Sequence, residues 1–132
     1  MSFALFVTAV DDRFTEAEIL GAFGKHISPH PHGGLLVHYD AEHESVIDCT
    51  FDAERTTDAF SIDRPCAHLK LFQALHGLLS ARRSFMTYPE DELVCIVTTD
   101  RSAEAVRKHH PELAEAMRFC ETPEDITDQW SD

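Results

Sequence analysis

Residues 3–10 (FALFVTAV) are apolar at both odd and even positions, a pattern that predicts a strand buried on both faces in the middle of a sheet. After Asp11–Phe14, the run Thr15-Glu16-Ala17-Glu18 is a capping box in which Thr15 accepts from the backbone and Glu18 reaches back. Ile19, Leu20, Phe23 and Ile27 then recur at helical spacing, predicting a helix from about Glu16 to His26 or Ile27. Pro29, Pro31 and the Gly33-Gly34 pair end it in a turn. Leu35–Tyr39 alternates, with Leu35, Val37 and Tyr39 on one face and Leu36, His38 and Asp40 on the other. Beyond a polar turn at Ala41–Glu44, Val46–Asp52 predicts a partner strand with Ile47, Cys49 and Phe51 inward and Asp48, Thr50 and Asp52 outward. A short strand at Ala59–Ile62 follows, placing Phe60 and Ile62 inward.

Arg64-Pro65 predicts the opening of a second helix, since proline is tolerated in a first turn. Leu69, Leu71, Phe72, Leu75, Leu78 and Leu79 form its apolar stripe to about Ala81, and Arg82 and Arg83 suit its negative end. Phe85–Tyr88, a turn at Pro89–Glu92 and Leu93–Thr98 read as a hairpin whose second strand is apolar on both faces. A helix from Asp100 or Ser102 to His109, a short helical segment from Pro111 to Met117 and a short strand at Arg118–Glu121 follow. Thr122-Pro123-Glu124-Asp125 caps a terminal helix that lays Ile126 and Trp130 on the protein. The order β-α-β-β-β-α-β-β-α-α predicts an α+β fold: a single-layer mixed or mostly antiparallel sheet packed against helices, in one domain spanning 1–132.

Length agrees with one core, because a chain of 132 residues buries roughly two-thirds of the surface its unfolded form exposes. The longest apolar runs fall far short of the roughly 20 residues needed to cross a bilayer. Asp11 and Asp12 follow the first apolar run, and no basic leader precedes it, so an unexported, cytoplasmic chain is expected. Cys49, Cys66, Cys95 and Cys120 are irregularly spaced in apolar settings, which suits reduced thiols.

Charge changes the picture more. Asp and Glu number 24 against 11 Lys and Arg, a formal −13. That argues against nucleic acid or an anionic membrane as partner and favours a basic one, although acidity also serves solubility. Eight carboxylates lie between Asp40 and Asp63 with Arg55 as their one compensating cation. Asp40, Glu42, Glu44, Asp48, Asp52 and Glu54 are the candidate partner-binding residues, with Tyr39 and Trp130 as candidate anchors; an ordinary solvated sheet face produces the same alternation. A second acidic zone runs from Glu112 to Asp132.

No nucleophile elbow or phosphate loop is present. Cys66, placed in the first turn of the second helix near His68, is the nearest approach to an activated thiol, but residues two apart on a helix point in different directions. His26, His30 and His32, with His38 beyond, are an alternative metal-binding or enzymatic set, against which stand an unfamiliar spacing and a loop carrying two prolines. No cofactor is expected. A structural adaptor or self-associating subunit is a further alternative.

The run AFSIDRPCAHLKLFQALHGLLSA (59–81), followed by MTYPEDELVCIVTTDRSAEAVRKHHPELAEAM (86–117), resembles small uncharacterised bacterial proteins with an "RP" helix start, a Leu-rich helix and a hairpin. In size and charge the chain resembles the immunity proteins of bacterial polymorphic-toxin systems, contact-dependent or type VI. This second resemblance is one of type and brings no diagnostic residues. It implies a non-catalytic cytoplasmic antitoxin that occludes a basic toxin domain.

Overall fold

Leu5 and Val7 of the first strand are fully buried, while Phe6 between them is 50% exposed; this asymmetry organises the molecule. The computed structural model describes residues 3–31, 34–89 and 92–130. In chain order these form β1 (Ala4–Ala9), β2 (Phe14–Thr15), α1 (Glu16–Phe23), a 3-10 turn (Gly24–His26), β3 (Ile27–Pro29), β4 (Leu35–Asp40), β5 (His43–Asp48), β6 (Thr56–Thr57) and β7 (Ala59–Asp63). Then come α2 (Leu69–Ala81), β8 (Ser84–Pro89), β9 (Leu93–Val97), α3 (Asp100–His109), a 3-10 segment (Pro111–Ala116), β10 (Met117–Phe119) and α4 (Pro123–Gln129).

Eight strands make one sheet in the order β10-β9-β8-β1-β7-β5-β4-β3, with β2 and β6 a separate ribbon. Every pairing in the sheet is antiparallel except β9 with β10, so the fold is α+β with a mixed sheet packed against helices. The main core joins Leu5, Val7, Phe60, Ile62, Met86, Tyr88, Val94 and Ile96 of the sheet to α1, the Leu stripe of α2 and Ile126 of α4. On the opposite face Phe85, Cys95 and Val97 pack under Ala103 and Val106 of α3 in a second core.

That second layer covers only the β8–β9 end. Across the remainder, β1, β7, β5 and β4 present Phe6, Ala59, Asp63, Glu44, Asp48 and His38 as exposed residues. The expectation for β1 is therefore met in position, since it lies between β7 and β8, and corrected in burial, since one of its faces is partly open.

Local chemistry explains most boundaries. Thr15 and Glu18 form the capping box of α1, and Thr122 and Asp125 that of α4. Helix α1 stops at Phe23, where Gly24 adopts φ 56°, and Ile27 belongs to β3 instead. Strand β5 starts at His43 rather than Val46 and ends at Asp48: His43 and Glu44 pair with Asp40 and His38 across the ladder. Cys49 and Phe51, expected in that strand, pack on the main core from a loop. Helix α2 opens at Leu69, not Pro65. Arg64 takes φ 49°, Ser45 Oγ donates to its carbonyl at 3.1 Å and accepts the Cys66 amide at 2.8 Å, and the His68 ring accepts the Lys70 amide as N-cap. The expected Pro89–Glu92 turn includes Glu90 and Asp91, which lie outside the described residues.

Candidate functional site

Strand β4 and the tip of the β4–β5 hairpin bring Tyr39, Asp40 and His43 against His68 at the start of α2 and His26 after α1. The Tyr39 ring stacks on His68 at 4.7 Å between centroids and tilts against His26 at 4.9 Å. Asp40 Oδ1 accepts from His43 Nδ1 at 2.7 Å and from the Glu42 amide at 2.9 Å, while Oδ2 faces His68 Nε2 at 3.7 Å. The hydrogen bond from His43, followed by the Glu42 amide, holds the Asp40 carboxyl below its ordinary range.

Proton placement decides what this cluster can do. His68 Nδ1 accepts the Lys70 amide at 3.1 Å, so a neutral ring carries its proton on Nε2, toward Asp40. A metal ion at Nε2 would need a free lone pair where this tautomer places the proton. His26 Nδ1 lies 3.2 Å from the His38 carbonyl, and His32 lies outside the described residues. Among the described residues no group of three His, Cys, Asp or Glu side chains is arranged to hold a metal.

The thiols are likewise placed for packing rather than attack. Cys66 sits in the irregular segment before α2, not in its first turn, so the helix-dipole argument for activation lapses. Burial pushes its thiol up, outweighing the hydrogen bond from Ser45; burial also raises Cys49, Cys95 and Cys120 to about 11. Thiolates are the reactive form, and at neutral pH these groups are overwhelmingly thiols.

The six carboxylates singled out in the sequence are not brought onto one surface. Asp40 is engaged by its own hairpin tip. Asp52 is engaged too: Oδ1 accepts the Glu54 and Thr56 amides at 2.9 and 3.0 Å, and Oδ2 takes the Thr56 hydroxyl at 3.0 Å and Arg13 at 3.1 Å. Its outward strand position is corrected accordingly, because the chain leaves the sheet after Asp48. Glu42 and Glu54 are exposed in the two connecting turns. Glu44 and Asp48 do share the outer face of β5, Glu44 lying 3.2 Å from His38.

Both proposed anchors turn inward. Tyr39 has its hydroxyl buried with no hydrogen-bond partner among the described residues, and burial, with Cys66 adding to it, raises its pKa. Trp130 packs on Tyr88, Phe3 and Phe72 at 4.7, 5.3 and 5.4 Å, sealing the main core beside α4.

Alongside Glu44 and Asp48, residues that the sequence reading left unselected occupy the outer sheet face. Ladder register sets Thr87, Phe6, Ser61 and Asp48 in one row across β8, β1, β7 and β5, and Ala4, Asp63 and Val46 in the adjacent row. A shallow depression of about 360 Å³ runs beside Phe6, bounded by Thr8, Asp48, Asp58 and Ser61. Strands β1, β4, β5 and β7 contain no Lys or Arg, and neither Asp48 nor Asp63 has an ion-pair partner among the described residues. The visible signal was Phe6 itself, an aromatic within a strand apolar on both faces; how far α3 reaches over that strand is not written locally. No protein-family model, curated protein or solved structure matches the chain.

Proposed function

We propose that this chain is a non-catalytic binding protein, an immunity protein that binds a basic bacterial toxin domain in the cytoplasm and occludes it. The observation that carries this reading is where the charge goes. Arg13 pairs with Asp52, Arg55 with Glu16, and Arg82 with both Asp12 and Glu18, so three of the eleven Lys and Arg residues are held by the chain's own carboxylates. Asp48 and Asp63 stay exposed with no ion-pair partner among the described residues, and the formal charge remains −13.

Such a surface attracts a cationic protein over a distance and repels nucleic acid and anionic lipid. Raised thiol pKa values stand against a cysteine nucleophile. No helix among the described residues is long and apolar enough to cross a membrane.

The domain encoded immediately beside this chain's gene is the partner to test. Co-expression should relieve that domain's toxicity, and the association rate should fall about tenfold or more from low to high salt. Persistent toxicity with no measurable complex would refute the reading; a rate flat across that range would remove electrostatic steering from it.

A further inference from the structure

Resting on that binding reading, we infer that the docking surface is the uncovered outer face of β1, β7 and β5, with Phe6 as its apolar anchor and Asp48 and Asp63 as its charged rim. The hairpin-tip carboxylates take no part in it.

Three observations converge here. Phe6 is half exposed in an interior strand of the sheet, flanked by the small side chains Ser61 and Ala4. Interface energy concentrates in a few such large side chains set among smaller neighbours that exclude water. Asp48 lies two strands from Phe6 in the same row, about 10 Å away at the spacing of neighbouring strands; Asp63 lies one strand away in the next row. One partner surface therefore reaches the aromatic and both carboxylates together.

Charge identifies the occupant. A second copy would set Asp48 and Asp63 against their own kind, with no Lys or Arg in these strands to offset them. A cationic protein offering an apolar pocket for the ring and Arg or Lys at its margin fits instead. The hairpin tip lacks this combination: Asp40 is held by His43 and the Glu42 amide, and the Tyr39 hydroxyl is buried.

The experiment measures Kd for the purified neighbour-encoded domain with the wild type and with Phe6→Ala, Ser61→Arg and Glu42→Gln, each first checked for an unchanged melting temperature. Ser61→Arg places a long cation at the centre of the face and covers the case in which Phe6→Ala fails to fold. We expect Phe6→Ala and Ser61→Arg each to weaken binding about 30-fold or more, and Glu42→Gln to stay within about threefold. Wild-type binding with Phe6→Ala and Ser61→Arg both within about twofold would overturn this surface and leave the binding function standing. A wild type that does not bind the domain would overturn both.

Discussion

Gly34, ahead of β4, combines two demands that other residue types do not meet. Its φ is 75°, and a Cβ there would sit 2.5 Å from the Ile47 carbonyl oxygen, where the β4–β5 ladder needs that oxygen undisturbed. Its own carbonyl accepts the His30 amide at 3.1 Å, closing the β3–β4 turn. Gly34→Ala should therefore cost about 1–3 kcal/mol or more in urea unfolding. Gly77, mid-α2 with nothing within 4 Å of a would-be Cβ, is the contrasting case. There alanine should be neutral or stabilising, by up to about 1 kcal/mol. Equal losses at the two positions would show that the close approach to the Ile47 carbonyl does not set the cost.

Between elements, a polar clasp joins the start of α1 to the end of α2. Arg82 donates to Glu18 at 2.8 Å and reaches Asp12 at 3.4 Å. Burial alone would raise the pKa values of Glu18 and Asp12, but Arg82 leads the contacts that outweigh it at Glu18, and at Asp12 the Arg13 and Arg83 amides do so ahead of Arg82, leaving both carboxyls below their ordinary 4.5 and 3.8. With folded values depressed, the stabilisation is complete above the unfolded values and is lost as pH falls through the folded ones. Thermal melts should show stability dropping below about pH 4.5, and Arg82→Met should flatten that drop. An unchanged acid slope in the variant would assign it to other carboxylates.

This scale also separates what was readable along the chain from what was not. Both capping boxes, the Leu stripe of α2 and the interior position of β9 followed from short patterns, because caps and amphipathic faces are local. The start of β5 did not: His43 and Glu44 are polar like turn residues, yet they complete a ladder with Asp40 and His38. Nor did the N-cap of α2, since histidine is not among the usual capping residues. Of the proposed binding residues, Asp48 was readable as an outward carboxylate and Phe6 was the least readable, because its exposure depends on where α3 ends above the sheet, a tertiary relation with no local signature.

At the level of the whole molecule, the sheet order places β1, the first strand in the sequence, between β7 and β8. During synthesis Leu5 and Val7 thus leave the ribosome with neither neighbour made, and wait until residues 84–89 emerge. At about 5–20 residues per second the delay is on the order of ten seconds. Until then α1 and the β4–β5 hairpin can form, but the main core has no floor. A chain ending at Ala81 should accordingly lack a cooperative thermal transition, while one ending at Thr99 should regain β1's full pairing and part of that transition, as followed by circular dichroism. A chaperone that holds the nascent chain would find its longest-lived apolar target at residues 3–10. For the inhibitor proposed above, binding-competent molecules would then appear only once the second half of the chain is completed, whatever the speed at which the finished protein finds its target.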